Sequence, residues 1–480
     1  MWLDQFIPIA LFSTIAFLAA AVAIVALATG VQIEPYLRKV ASAILPLILL
    51  TAFALSTLVS GRNASLYGLA GSVTEEATSA ASIWILRLCT LAAVAFSVLV
   101  VVSAVLSKRS MPKASRGLFI AFCVYYISAY VISGLLGTVP DVSHKTLYPL
   151  LIVAALCITS NYSPETVLRV TRDGMFVFLI LGLILIPIKP DLVVQQGYKG
   201  FIPGLSFRYW GLASHANNIG PLAFFFLLIT ALHPYRWKAL NVLAAVIVAI
   251  TLTLAQSKTA IGAVLIVATA LAMNLWFRAV FRHAFGFAGS AMALTLAILV
   301  LGLVLVLFVS DLYQKPLDLF LTRIQGRNTV LTGREFIWHI TMTEWRANPI
   351  FGYGPSLWGP EFSARHGYFG IASNAHNQAI DTLGAAGVVG LTALTVYVGT
   401  LGYCAARLAT RTHWVSVGFF VFVLVRCITE APLKTVNVTT SDFFMHSMIL
   451  AIFMRLLCEQ RILSTRDKPV NRSTLAGAAA

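Results

Sequence analysis

Apolar runs of about 20 residues recur thirteen times along this 480-residue chain, near residues 6–30, 40–59, 84–106, 118–138, 147–160, 175–188, 217–232, 240–256, 260–277, 286–310, 377–403, 414–431 and 443–458. A run of that length crosses a hydrocarbon core of about 30 Å as one helix, because only a closed internal ladder satisfies the backbone polar groups in lipid. The reading is therefore all-α: a polytopic membrane protein with about 12–13 transmembrane helices, the fifth and sixth being the shortest. Composition agrees, with 59% hydrophobic and only 11% charged residues against roughly 25% charged in soluble domains. Soluble enzymes and disordered scaffolds are excluded.

The net charge of +16 comes from basic residues scattered between the apolar runs. Nucleic-acid binding would gather them in aromatic-interleaved stripes, so no nucleic-acid partner is expected. They act first as topology signals, since Lys and Arg prefer cytoplasmic loops. Placing Lys108, Arg109, Lys113 and Arg116 inside puts the majority of the Lys and Arg in cytoplasmic segments, and six of the external ones fall in the long loop 311–376. The N-terminus is then external and the C-terminus cytoplasmic, and the surplus external cations need an explanation of their own. Met1–Asp4 lacks the basic start of a signal peptide, so the first run reads as a retained span. Six cysteines in or beside apolar runs show no metal or disulfide spacing and read as packing residues.

Polar clusters interrupt this pattern at one face. Arg208-Tyr-Trp-Gly-Leu-Ala-Ser-His215-Ala-Asn217 enters the seventh helix. A guanidinium beside helix N-terminal amides suits a phosphate, while interfacial aromatics and capping are the plain alternative. Gln256-Ser-Lys258-Thr closes a hairpin with almost no loop, and its lysine is read either as snorkelling or as meeting an anionic head group. In the long loop, Thr332 and Glu335 match a capping box, with an apolar face from Phe336 to Trp345 before Pro349. Arg334 lies in that amphipathic helix, either solvated or on a substrate. His376 and Asn377 stand where the loop re-enters the membrane. Cations with a titratable base on one face can serve an anionic leaving group and proton abstraction. Arg426 and Glu430, spaced i,i+4 in an apolar helix, read as a mutual structural pair, with a role in shaping the site as the alternative. Asp381 is an intramembrane carboxylate whose partner the sequence does not name. No acidic cluster on the external face suggests a metal.

Over roughly residues 205–432 the chain resembles the O-antigen ligase and polymerase family of bacterial envelope glycosyltransferases, which includes exopolysaccharide polymerases. The likeness rests on Arg208-x-x-Gly211 with His215-x-Asn217, Ser257-Lys258-Thr259, Gly333-Arg334-x-x-Ile337-Trp338, Pro349-Ile-Phe-Gly352-Tyr-Gly354, His376-Asn377 and Gly387-Val-Val-Gly390. It implies a C-type glycosyltransferase-like fold of the inner membrane with a periplasmic active site, inverting, without metal or other cofactor. The implied donor is an oligosaccharide on undecaprenyl pyrophosphate; the acceptor is a growing glycan in a polymerase or a lipid A core sugar in a ligase. Carried over, His376 is the general base, Arg208, Lys258 and Arg334 bind pyrophosphate, and His215, Asn217, Asn377, Arg426 and Glu430 support them. Lys258 stands where ligases usually carry arginine, which leans the reading toward the exopolysaccharide polymerases. Membrane lipids and polysaccharide export and chain-length proteins are candidate partners, and a lipid-linked sugar transporter is the rival from another class. The expected division is 1–204 for N-terminal spans, 205–432 for the core with loop 311–376, 433–463 for the last span, and 464–480 for a disordered cytoplasmic tail.

Overall fold

A computed structural model describes residues 33–66, 79–108, 111–161, 163–198, 200, 202, 204–280, 334–366 and 372–466. The expected spans at 6–30 and 286–310, Thr332 of the capping box and residues 467–480 of the tail lie outside them. Each of the other eleven expected spans is a helix. They are α1 (Ile33–Val59), α2 (Ala80–Leu106), α3 (Lys113–Leu136), α4 (Tyr148–Ile158), α5 (Pro164–Ile188), α6 (Ala216–Leu232), α7 (Lys238–Ala255), α8 (Lys258–Val280), α11 (Gln378–Leu408), α12 (Val415–Thr429) and α13 (Ser441–Arg466). In the long loop, α9 (Arg334–Ala347) and α10 (Pro360–His366) precede α11. A hairpin of β1 (Val194–Gln196) and β2 (Phe207–Tyr209) pairs antiparallel, with Gln195 opposite Arg208. Seven described helices are long and apolar enough to cross a membrane. The chain is an all-α polytopic membrane protein.

The sixth expected span begins eleven residues earlier than hydropathy indicates, at Pro164, because its first turns carry Glu165, Arg169, Arg172 and Asp173. Arg172 is accommodated by stacking 3.7 Å from the Tyr235 ring and by donating to the carbonyl of His233. The last helix, α13, is the most enclosed, with 94% of its apolar window buried. Within it, Arg455 is fully buried and donates to Ser42 Oγ at 3.0 Å and Thr159 Oγ1 at 2.7 Å, tying α13 to α1 and the end of α4. These bonds offset part of the cost of burying the guanidinium in an apolar surround, although its Nε has no partner among the described residues.

Two irregular helices set the roof over one end of the bundle. In α3, a π-helical stretch at Ile127–Ile132 sits beside Tyr125 and Tyr130, whose hydroxyls both donate to the Leu433 carbonyl, at 2.9 and 3.3 Å. Local π turns frequently accompany functional regions, and here the tyrosines pin the connection between α12 and α13. In α11, Gly387 takes φ 61° and ψ −162°, a conformation open essentially to glycine. The kink frees backbone groups for the Pro349–Gly354 segment. Tyr353 N donates to Gly384 O, Gly354 N to Ala385 O and Val388 N to Pro349 O, at 2.8–2.9 Å. The glycines of these two motifs therefore dock loop against helix, and Gly352 at φ 71° leaves no room for a Cβ against the backbone of Ala385 and Ala386.

Candidate active site

The β-hairpin carries Arg208 to the entrance of α6, where its guanidinium has two tasks. Nε donates to the Ala255 carbonyl at 2.9 Å, at the end of α7, and Nη2 donates to Asn217 Oδ1 at 2.6 Å. The ring of Tyr198 lies 4.9 Å from it. Asn217 passes the connection on, its Nδ2 donating to Glu430 Oε1 at 3.3 Å. Glu430 Oε2 in turn meets His376 Nδ1 at 2.8 Å. Residues 208, 217, 430 and 376, drawn from three separate regions of chain, thus form one unbroken hydrogen-bonded series.

The His376 turn is held from several sides. His376 adopts φ 48°, in the left-handed region that non-glycine residues seldom occupy, and strain of this kind persists only where the surroundings impose it. Its backbone N–H donates to Asn374 Oδ1 at 2.7 Å. Asn377 caps α11, its Oδ1 accepting from Ile380 N, while its Nδ2 donates to the Ile428 carbonyl. Trp338 on α9 donates to the Ala375 carbonyl at 2.8 Å. Asp381 accepts from Ala375 N at 2.9 Å and forms an ion pair with Lys434 at 3.7 Å, which names the partner the sequence leaves open.

Arg426 and Glu430 do not pair with each other, contrary to the expectation from their spacing. The helix α12 ends at Thr429 and Glu430 is extended, at φ −149° and ψ −179°, so the i,i+4 geometry is lost. Arg426 donates instead to Asp442 Oδ1 at 2.7 Å, and Glu430 turns to His376. Burial disfavours the Glu430 carboxylate. The hydrogen bond and charge of His376, with the guanidinium groups of Arg426 and Arg334, outweigh it and lower the pKa below the ordinary value.

His215 has a different part. Its Nδ1 accepts from Asn217 N at 3.1 Å, capping α6, and its ring lies 4.6 Å from that of Trp210. An accepting nitrogen needs the neutral imidazole. Burial first, then Arg208 and Arg62, push the His215 pKa down to about 4 against the pull of Glu430. Because this lies below the ordinary 6.5, the stabilising cap is fully present above that pH and is lost as pH falls through about 4. Protection factors of the first α6 amides, which remove the intrinsic slowing of exchange in acid, are expected to fall on acidification across this window; a His215→Ala variant should show low protection throughout. Pre-titration protection equal in the two proteins would remove the capping role.

These groups border a cavity of about 790 Å³ whose lining includes Arg62, His215, Asn217, His376, Glu430 and Asp442. Arg62 is the residue that sequence reasoning passed over. Its guanidinium donates to the carbonyls of Ala213, Gly211 and Leu192 at 2.6, 2.7 and 2.8 Å, and it lies 5.4 Å from the Trp210 ring. It thereby folds the loop that presents His215 and Asn217. The only hint in the sequence was its membership of the external cations left unexplained by topology.

Of the predicted residues, Arg208, Asn217, Glu430 and His376 are bonded in series, His215 and Asn377 cap the helices on which they stand, and Arg426 lines the cavity through Asp442. Arg334 is near enough to lower the Glu430 pKa. Lys258 is exposed at the start of α8, three residues past the Ala255 carbonyl that Arg208 grips, and has no hydrogen bond or ion pair among the described residues. Also among the described residues, no three His, Cys, Asp or Glu gather as a metal ion would require.

A comparison with curated proteins finds no match. The family model described as O-Antigen ligase, Wzy_C, matches residues 243–395, a stretch that carries Lys258, Arg334, His376 and Asn377 and that is hydrogen-bonded to Arg208 and Glu430 outside it. Residues 243–395, about a third of the chain, are thus similar to the O-antigen ligase family, and the residues of the series flank and enter this stretch.

Proposed function

We propose that this protein is an inverting, metal-independent glycosyltransferase of the inner membrane, working at its periplasmic face to polymerise oligosaccharide repeats carried on undecaprenyl pyrophosphate. The observation that carries the reading is the series Arg208–Asn217–Glu430–His376, which joins a phosphate-type cation to a general-base-type imidazole at one end of the bundle.

The chemistry follows from the two ends of that series. At one end, the acceptor hydroxyl oxygen attacks the anomeric carbon of the donor glycan as the bond to the pyrophosphate oxygen breaks, and the leaving pyrophosphate takes the bonding electron pair. The configuration inverts because attack and departure occur on opposite faces. The hydroxyl proton passes to Nε2 of His376, since Nδ1 is held by Glu430, whose carboxylate fixes the tautomer and stabilises the imidazolium that forms. Arg208, Lys258 and Arg334 oppose the charge developing on the leaving group, as fixed cations do in a water-poor site. A Lys258→Arg variant is expected to keep donor affinity, whereas Lys258→Ala should raise the donor KM roughly tenfold, the scale of one charged hydrogen bond. Equal donor KM in the two variants would remove Lys258 from the pyrophosphate site.

The family description itself favours a second reading, a ligase that passes the glycan to lipid A core. Purified protein in lipid nanodiscs, given lipid-linked oligosaccharide, separates the readings. Chain growth supports the polymerase, transfer to added lipid A core supports the ligase, and movement across a vesicle bilayer without bond formation supports a transporter.

A further inference from the structure

We infer that the cavity beside His376 is an acceptor-sugar subsite, recognising the hydroxyl groups of an uncharged sugar through Asn218, Asn374, Asn437 and Asp442. The inference rests on the glycosyltransferase reading and adds to it where, and by which groups, the acceptor is held.

The charges of the cavity wall are already engaged. Arg62 is turned onto the carbonyls of the 211–214 loop and Leu192, Arg426 is 3% exposed and bonded to Asp442, and Lys434 is shared between the carbonyls of Leu357 and Ser373 and the Asp381 carboxylate. Glu430 and Asp442 add negative charge to the same wall. A pyrophosphate is poorly matched to this chamber. The predicted phosphate cations Arg208 and Arg334 are not among the residues that line it. Donor phosphate and acceptor sugar are thus divided, with Asn217, Glu430 and His376 between them.

What the cavity does offer is a set of groups each fixed by one end. Asn218 Nδ2 donates to Ser214 Oγ at 2.8 Å, leaving its Oδ1 to accept. Asn374 Oδ1 accepts from His376 N, leaving two N–H donors. Asn437 Oδ1 accepts from Thr439 N at 3.0 Å and from Thr439 Oγ1 at 2.7 Å, again leaving its amide donors. Asp442 Oδ1 accepts from Arg426, leaving Oδ2. Those remaining atoms have no protein partner among the described residues. All four residues line the cavity. Amides and a carboxylate anchored in this way present both donors and acceptors without further ordering, which is the complement of a sugar hydroxyl, itself one donor and two acceptor lone pairs. A volume of about 790 Å³ is ample for such a ligand.

The test uses the full chain in nanodiscs, with lipid-linked oligosaccharide as donor and the same glycan released from its lipid as soluble acceptor. Wild type, Asn437→Ala and Asp442→Asn are compared; the second substitution keeps a carbonyl oxygen for Arg426, and the first removes an exposed amide that no helix depends on. The expected result is an acceptor KM raised about tenfold in both variants, with donor KM and kcat within about twofold of wild type. An unchanged acceptor KM, or a rise in donor KM instead, would overturn the subsite. If wild type forms no product, the glycosyltransferase reading fails, and saturation-transfer NMR of the soluble glycan still decides the subsite: binding that Asn437→Ala weakens upholds it, and absence of binding overturns it.

Discussion

Replacing His376 with alanine is expected to lower kcat by about 10²–10⁴, the range general-base catalysis supplies, while the donor KM and the melting temperature of the purified protein stay near wild type. His376 lines the cavity, and its Nδ1 is the only ring atom bonded to protein among the described residues. The Glu430→Gln variant discriminates more finely. Glu430 accepts with both oxygens, Oε1 from Asn217 Nδ2 and Oε2 at His376 Nδ1. A glutamine has one acceptor oxygen and one amide donor, so it cannot accept from both neighbours. If its amide faces His376, Nδ1 becomes an acceptor and Nε2 carries the proton, the tautomer that cannot act as base. The expected outcome is a kcat reduced by one to three orders of magnitude with donor KM little changed, and a Glu430→Asp variant recovering part of it. Wild-type turnover in Glu430→Gln, measured with the nanodisc assay, would rule out an orienting role for the carboxylate.

The second large effect is structural. Gly387→Ala should destabilise the protein and abolish turnover, because position 387 has φ 61° and ψ −162° and a Cβ there would collide with the Ile350 carbonyl and lie 2.6 Å from Phe351 N. Backbone strain of about 1–3 kcal/mol adds to an overpacking cost of about 1–3 kcal/mol. The substitution would push Pro349–Gly354 off α11, the helix whose first turn positions His376. Gly399→Ala on the same helix is the control. Nothing lies within 4 Å of its would-be Cβ, and in a regular helix alanine is favoured over glycine by about 1 kcal/mol. Thermal unfolding in detergent should show opposite signs for the two alanines; a melting temperature for Gly387→Ala at or above that of wild type would contradict the kink's role.

Both predictions concern features that the sequence presents unequally. The helices were legible because a transmembrane span is a local property: length and apolarity decide it, and each of the eleven expected spans within the described residues is a helix, seven of them long and apolar enough to cross a membrane. Helix α9 was legible for the same reason, its apolar face and proline stop being written in consecutive residues, and it spans Arg334–Ala347. The glycine motifs were visible as motifs, but their purpose was not, since Gly352 and Gly387 meet only when the loop folds back over α11.

The ion pairs were the least legible. Spacing placed Arg426 against Glu430, and this holds only while the helix continues through both; an extended residue 430 sends the two charges to Asp442 and His376. Arg62 was opaque for a related reason, since the acceptors at Leu192, Gly211, Ala213 and Ser214 are backbone carbonyls, which every residue owns and no pattern marks. The sequence by itself determined a helical membrane chain and the residue types able to bind phosphate and move a proton. Only the tertiary structure decided which carboxylate serves the imidazole and which arginines are spent on holding the fold, because those choices depend on the meeting of segments more than 50 residues apart, as for His376 and Glu430, and periodicity carries no information at that range.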